Sequence, residues 1–307
     1  MRRRGVLCAA AGAVLIGCVG GDVGAVGHVW AWADGTPVVW SDEEMPELPL
    51  DAYEFGGRDK KDFDDLDAAR NLLVQRCMVR RGFADFPREP KYPGIGGKSA
   101  TTASLVAVST GPVGPYDLGN ARRWGYGWDP EKKMSLPEPK GREMTTEEVG
   151  VYYGDGSAPH TGCSGEASDR IERGVSDSRR MWSYVGGREM AVRDQVDRDP
   201  QMRRAYRAWA DCVVDKGFKR YANPVRAFDD KAWKRGQNGN TTRTDRELGT
   251  AVADIACKRA HNTAGVWWTV ARRLQQRELA RHQGEFEAVR KDRDTLRANI
   301  RDVLGAA

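Results

Sequence analysis

Residues 74–83 read VQRCMVRRGF, and residues 209–218 read WADCVVDKGF. The two segments share Cys, Val, Gly and Phe at the same relative positions, and a basic residue precedes each glycine. A glycine followed by a large apolar residue is typical of a helix end, where the glycine is left-handed and the apolar side chain packs on the last turn. The repeat therefore predicts two helices that end at Gly82 and Gly217, each with a cysteine just over one turn before its end.

The cysteines predict two disulfides. Cys8 and Cys18 fall in an N-terminal signal region described below, which leaves four of the six cysteines for the folded body. An even number outside the cytoplasm indicates disulfides, and four cysteines allow three pairings. If the two repeated segments are equivalent, each repeated cysteine pairs with the next one along the chain; if their similarity is chance, this preference is lost. The favoured pairs are Cys77 with Cys163 and Cys212 with Cys257.

The N-terminus has the order of a secretory signal peptide. Three arginines, at positions 2 to 4, precede an uncharged run at residues 5–17 that is rich in Val, Leu, Ile and Ala. This run is shorter than the roughly 20 apolar residues that span a membrane. It ends in Leu15-Ile16-Gly17-Cys18, which resembles the lipobox of bacterial lipoproteins.

The lipobox resemblance implies cleavage before Cys18 and a diacylglyceryl group on its sulfur. The alternative is an ordinary secretory signal that is cut elsewhere, with Cys18 incidental. Two or more acyl chains give stable membrane anchoring. We therefore expect a lipid-anchored protein on the extracytoplasmic face of the cell membrane.

Composition and helix signals divide the chain into four regions. Residues 1–17 are the predicted signal peptide, and residues 18–50, rich in Gly with acidic residues and Pro, are a lipidated N-terminus and flexible tether. Residues 51–175 form a first Cys-helix unit with a loop-rich segment, and residues 176–307 form a second Cys-helix unit with a long C-terminal helix. The predicted fold is mainly α: a disulfide-linked helical body with a loop-rich middle region and a long C-terminal helix.

Apolar spacing places the early helices. It predicts a helix over about residues 62–81 and another over residues 164–197, in one piece or two. Asp199-Pro200 is an N-cap followed by proline at the first helical position, so a further helix starts there.

Two capping signals mark further helix starts. Thr145 and Thr244 each precede a glutamate by three residues, as in a capping box. From Thr244 the helical pattern continues to about Leu304, which is compatible with one very long helix.

The end of that helix has an apolar stripe interrupted by Arg293. Such a stripe is also typical of a coiled-coil seam, but packing against the preceding helices is favoured. The stripe consists of Phe286, Val289, Leu296, Ile300 and Val303.

Charge argues against nucleic-acid binding. The formal net charge of +5 falls to +2 once the three arginines of the signal are removed, and charges of both signs are mixed along the chain. A nucleic-acid footprint is instead a clustered basic patch. We therefore predict no nucleic-acid partner.

No motif predicts a catalytic, metal or cofactor site. Gly96-Gly97-Lys98-Ser99 lacks the first glycine of a P-loop, because position 92 is Tyr. His261 lies four residues after Cys257, near Cys212 and Asp254 in a hypothetical zinc site, but a disulfide is the favoured state of these cysteines. His160 is the best candidate for a general base, yet no nucleophile elbow accompanies it.

Taken together, the lipobox, the Arg-, Ala-, Gly- and Asp-rich composition and the repeated Cys-x4-Gly-Phe helix ends resemble lipoproteins of actinomycetes such as streptomycetes. The resemblance covers the signal and the cysteine helices, is weak over residues 88–157, and implies a membrane location without an activity.

Three functions remain open. The favoured hypothesis is a non-enzymatic envelope protein that binds another protein or cell-wall material through the loop-rich middle or the C-terminal helix. The alternatives are an envelope enzyme such as a cell-wall hydrolase and a solute-binding lipoprotein of a transporter. The last usually needs alternating strands and helices, which the pattern lacks.

Overall fold

The computed structural model of the chain describes residues 46–56, 61–91, 112–129, 139–154, 161–236 and 239–306. These residues contain helices and no β-strand. The α-helices are Lys61–Arg80 (α1), Leu118–Trp124 (α2), Thr146–Tyr153 (α3), Gly162–Ile171 (α4), Ser178–Arg198 (α5), Pro200–Asp215 (α6), Pro224–Phe228 (α7), Asp245–Ala260 (α8), Thr263–Arg281 (α9) and Gln283–Gly305 (α10). Two 3-10 helices are Asp51–Tyr53 and Lys231–Trp233. The predicted mainly α-helical fold is confirmed.

The predicted signal peptide, Cys18 and residues 18–45 of the predicted tether lie outside the described residues. Much of the predicted loop-rich middle does too, with α2 and α3 in its described parts. No helix in the ranges given above is long and apolar enough to cross a membrane.

Helix α5 contacts α6, α9 and α10. Helix α10 also contacts α1 and α4, and α6 also contacts α8 and α9. Helices α1 and α10 contact each other although they lie in different predicted regions, on either side of residue 175. The division of the chain at that residue stays a prediction.

Both repeated segments end their helices as predicted. Gly82 and Gly217 have φ values of 104° and 86°, in the left-handed region that glycine tolerates. The N–H of Phe83 donates to the carbonyl five residues earlier at 3.1 Å, and that of Phe218 does the same at 3.2 Å. These are the bonds of a Schellman motif, which satisfies carbonyls that a helix end leaves without partners.

The predicted start signals are confirmed at two helices. At α3, Thr145 Oγ1 accepts from the N–H of Glu148 at 3.2 Å, and the Glu148 carboxylate accepts from the N–H of Thr145 at 2.7 Å. At α6, the Asp199 side chain accepts from the N–H of Gln201. Residues 164–197 form two pieces, α4 and α5, separated at residues 172–177.

The capping box predicted at Thr244 is only half formed. Thr244 Oγ1 accepts from the N–H of Glu247, but the Glu247 carboxylate turns away from the cap. It instead accepts from the N–H groups of Tyr126 and Arg243, each at 3.1 Å. A tertiary contact with the loop after α2 and a bond to the residue before the N-cap therefore replace the second bond of the capping box.

The single long helix considered from Thr244 to Leu304 is wrong. The segment forms three helices, α8, α9 and α10, with breaks at residues 261–262 and at His282. Asn262 adopts φ 45°, a left-handed conformation that ends α8 and that asparagine tolerates better than most residues. The breaks allow α9 to pack on α5 and α6, while α10 reaches α1.

The apolar stripe of α10 is buried within the chain, as favoured over a coiled-coil seam. Leu296, Ile300 and Val303 pack with residues of α1, and Phe286 and Val289 pack with Leu50 and Val185. Arg293 is also buried, and its Nη2 donates to the carbonyl of Met181 at 3.1 Å. This face of the C-terminal helix is therefore occupied by the protein's own core.

Candidate functional site

The four body cysteines form the two predicted disulfides, Cys77–Cys163 and Cys212–Cys257, with Cα–Cα distances of 5.6 and 5.8 Å. The repeated cysteines Cys77 and Cys212 occupy equivalent places near the ends of α1 and α6. Their partners do not: Cys163 lies at the start of α4, and Cys257 near the end of α8. The two units are thus alike in their first helix only.

The Cys212–Cys257 disulfide is incompatible with the hypothetical zinc site near His261. Cys212 and Cys257 are bonded to each other, so neither sulfur is a free thiolate ligand. Within the described ranges, no three His, Cys, Asp or Glu side chains come together as a metal site. His160 and the Gly96–Ser99 segment lie outside those ranges.

A buried polar network surrounds Asp254 in α8. Its carboxylate accepts from Trp209 Nε1 at 3.0 Å and from the Tyr126 hydroxyl at 3.3 Å, and Lys258 Nζ lies 3.1 Å away. Burial raises the pKa of Asp254, while Lys258 and the two hydrogen bonds oppose that rise. The network joins α6, α8 and the loop after α2. Neither Asp254 nor Lys258 is exposed to solvent, so these groups do not face a substrate.

Lys258 ties the segment before α2 to this network. Its ammonium donates to the carbonyls of Val113 and Pro115 and lies 5.0 Å from the ring centre of Tyr116. The lysine therefore has a structural role.

Two carboxyl groups meet where the segment at residues 46–56 crosses α5. Burial, the negative charge of Glu54 and a hydrogen bond to Glu54 together raise the pKa of Glu189 to about 8. Asp51 adds to this rise, and Arg293 opposes it. Glu54 and Glu189 are each partly buried.

A basic cleft of about 470 Å³ lies beside the junction of α5 and α6. Arg203 and Arg207 line it from α6, and Arg220 lines it from the segment after that helix. Its floor includes Tyr206 and Tyr221, both largely buried. We call this feature the arginine cleft.

The arginine cleft carries positive charge that the residues described by the structure do not fully neutralise. Arg203 and Arg207 are exposed, lie one turn apart on α6, and have no ion pair or hydrogen bond with any other described side chain. Arg220 contacts Asp211, but both groups are more than half exposed, so this pair is weak and easily exchanged. The lining contains one acid, Asp197.

The tyrosines of the cleft are neutral and held in place. The Tyr206 hydroxyl donates to Asp197 at 2.8 Å, and the Tyr221 hydroxyl donates to Asp230 at 2.9 Å. Burial and these acids raise the pKa of both hydroxyls well above the usual value near 10. The cleft can therefore attract and orient an anion against an uncharged floor, but these hydroxyls do not exchange protons near neutral pH.

Sequence reasoning did not identify the arginine cleft or the Glu54–Glu189 pair. Arg203 and Arg207 were visible as an i, i+4 pair on a predicted helix, but Arg220 joins them only after the chain turns at Gly217. Trp267 and Trp268 are core residues on α9.

Comparisons with protein-family models, with curated proteins and with solved structures find no match to this chain.

Proposed function

We propose that the protein is a non-enzymatic lipoprotein of the cell envelope, anchored through a lipid on Cys18, that binds an anionic partner in the arginine cleft. The location is supported by the basic start, the short apolar run and the Leu15-Ile16-Gly17-Cys18 box. The similarity to actinomycete lipoproteins agrees with it.

The two disulfides support a compartment outside the cytoplasm. Disulfides persist in oxidising surroundings and are rare where thiols are kept reduced. Each joins helices that are distant in sequence, across 86 and 45 residues. A protein with two such bonds is suited to an oxidising compartment such as the cell surface.

The observation that carries the binding function is the pair of arginines, Arg203 and Arg207, which line the cleft and have no ion pair with another described residue. Arginine forms planar, charge-assisted hydrogen bonds with anions and is selected where such recognition matters. The cleft volume lies within the range of small-molecule sites. An anionic group, free or displayed on a larger envelope partner, therefore fits this place.

The same cleft argues against catalysis by proton transfer. A general acid or base works best with a pKa near the operating pH. The tyrosines have raised pKa values, the arginines stay protonated, and Asp197 accepts from Tyr206. The cleft is therefore equipped to hold an anion and not to cleave it.

Replacement of Cys18 tests the location. In expressing cells, the wild-type chain should fractionate with membranes, and the Cys18→Ser chain should appear in the medium or the soluble envelope fraction. Cys8→Ser is the matched control, because Cys8 leaves with the signal peptide. Membrane retention of the Cys18→Ser chain would contradict the lipid anchor.

A cell-wall hydrolase is the second candidate, and the Glu54–Glu189 pair is the observation that favours it. Glycosidases use two carboxyl groups, but these lie about 5 Å or more apart. Glu54 and Glu189 are hydrogen-bonded to each other, which is closer than that chemistry requires. Release of soluble fragments from purified peptidoglycan by the wild-type chain, lost in Glu189→Gln, would establish the enzyme instead.

The solute-binding alternative has less support. Such lipoproteins usually have two α/β lobes, whereas the described residues of this chain form helices without a strand. The helical architecture therefore disfavours this function.

A further inference from the structure

We propose that the arginine cleft is a binding site for a phosphate ester. This inference rests on the proposed function, because it names the ligand class of the same cleft.

Three guanidinium groups suit a phosphate better than a carboxylate. A carboxylate has two oxygens and is satisfied by one arginine that donates to both. A phosphate ester has two or three charged oxygens, and several arginines can donate to them at once. Arg203 and Arg207 line the cleft from α6 and Arg220 lines it from the segment after that helix, so two separate elements supply guanidinium donors to one cavity.

The two helical arginines lack a structural reason to be neighbours. Like charges at i and i+4 on a helix destabilise it slightly. Some exposed arginines elsewhere in the fold pair with acids, as Arg290 does with Glu287. No acid in the described residues forms an ion pair with Arg203 or Arg207, so a bound anion would remove a repulsion that the free protein retains.

The cleft is larger than a phosphate ion and is not lined by charge alone. Its volume of about 470 Å³ exceeds what one inorganic phosphate fills. Ala210, Ala222 and the two largely buried tyrosines supply an apolar floor. The ligand should therefore carry an organic group beside its phosphate.

The position of the cleft brings it close to the start of the described chain. Tyr206 belongs to the same hydrophobic cluster as Trp268. Trp268 Nε1 donates to the carbonyl of Pro46 at 2.8 Å, and Leu48 packs on the cluster. The described part of the chain thus begins at this cluster.

That position limits the sources of the phosphate. Twenty-eight residues lead from Cys18 to Pro46, and a fully extended chain of that length spans at most roughly 100 Å. Within this distance of a membrane, phosphate esters occur in the headgroups of anionic lipids and in phosphodiester polymers of the cell wall. The shared chemistry is the phosphate ester.

The test uses the full chain carrying Cys18→Ser, so that binding is measured without the lipid anchor. The probe is sn-glycerol 3-phosphate, titrated by calorimetry. The cleft variant is Arg203→Gln/Arg207→Gln. The matched control is Arg277→Gln/Arg281→Gln, which removes two exposed arginines of the same spacing from α9 that likewise have no ion pair with a described residue.

We expect the parent chain and the α9 variant to bind the probe alike, and the cleft variant to bind at least about tenfold more weakly. Binding should weaken as salt is added. Arg220→Gln, outside any helix, should also weaken binding and keeps the test valid if the double variant unfolds. Equal binding by all variants, no binding by the parent chain, or equally tight binding of acetate would overturn the proposal.

Vesicles identify the source. Sedimentation of the same chains with phosphatidylglycerol vesicles, but not with phosphatidylcholine vesicles, would assign the site to an anionic lipid headgroup. Binding of glycerol phosphate without vesicle binding would assign it to a soluble or wall-polymer ester. Because the lipid on Cys18 is measured separately by mass, failure of the phosphate site and failure of the lipoprotein proposal give different results.

Discussion

Nζ of Lys258 lies 3.1 Å from Oδ2 of Asp254, and neither side chain has exposed surface. The two residues are one turn apart on α8, and the hydrogen bonds of Trp209 and Tyr126 complete the surroundings of the carboxylate. A buried pair of this kind adds little over an apolar substitute, but the loss of one member leaves an uncompensated charge in the core. The network therefore specifies how α2, α6 and α8 fit together.

Lys258→Met should destabilise the protein strongly. We expect the free energy of unfolding to fall by about 3–5 kcal/mol, because Asp254 keeps a buried charge without its partner. Denaturation by guanidinium measures the change. The double variant Lys258→Met/Asp254→Asn should recover part of the loss, and a single variant that loses less than about 1 kcal/mol would contradict the role given to the pair.

Glycine substitutions should have opposite signs at helix ends and inside a helix. Alanine at Gly82 or Gly217 must take a positive φ, so each change should cost about 1–2 kcal/mol, although a Cβ meets no neighbour there. Alanine at Gly186, within α5 and equally open, should stabilise by about 0.5–1 kcal/mol. Thermal melts of the three variants test this, and a loss at Gly186 equal to that at Gly217 would refute the explanation.

Removal of either disulfide should cost much of the stability. The loops closed by Cys77–Cys163 and Cys212–Cys257 contain 86 and 45 residues. In the chain-entropy model, such loops correspond to roughly 4–5 kcal/mol each. Paired cysteine-to-alanine variants, compared by denaturant unfolding without reductant, should both show this loss; a pair with wild-type stability would show that its bond is dispensable.

The free energy of unfolding should fall as the pH rises, because the folded state loses the proton on Glu189. Its pKa is about 4.5 ordinarily and about 8 in the fold, because of burial and the neighbouring Glu54. The folded state then holds a proton that the unfolded state releases, so the contribution is full below about pH 4.5 and lost as the pH rises through about 8. After solvent screening we expect about 1–2 kcal/mol.

Glu189→Gln should flatten this dependence, because an amide donates to Glu54 at every pH in the range. Denaturant unfolding at a series of pH values compares the slopes. Glu147→Gln, at an exposed position of α3, is the control and should keep the wild-type slope. Parallel curves for the wild type and Glu189→Gln would rule out the raised pKa of Glu189.

Local signals in the sequence predicted the helix ends well. Gly82 and Gly217 act within one turn of their own helices, and Thr145 bonds a residue three positions away. Such contacts involve residues that are close in the sequence, so periodicity and capping rules predict them. The repeated helix ends also led to the correct disulfides, although the partner cysteines occupy different places in α4 and α8.

Contacts between distant residues were not predictable in this way. The Glu247 carboxylate bonds to Tyr126 instead of completing its capping box. Asn262 and His282 interrupt the C-terminal helical segment, although neither residue is a strong helix breaker. Glu54 and Glu189 meet only because residues 46–56 cross α5. The arginine cleft needs a turn and two elements, so its chemistry became visible only in three dimensions.

Peptide mapping of the protein from the membrane fraction, by mass spectrometry without reduction, tests most directly that this is a lipid-anchored, disulfide-linked envelope protein. We predict an N-terminal peptide that begins at Cys18 and carries a diacylglyceryl group, together with linked peptides for Cys77–Cys163 and Cys212–Cys257. An unmodified N-terminus at another residue, with free thiols at Cys212 and Cys257, would contradict both the anchor and the compartment.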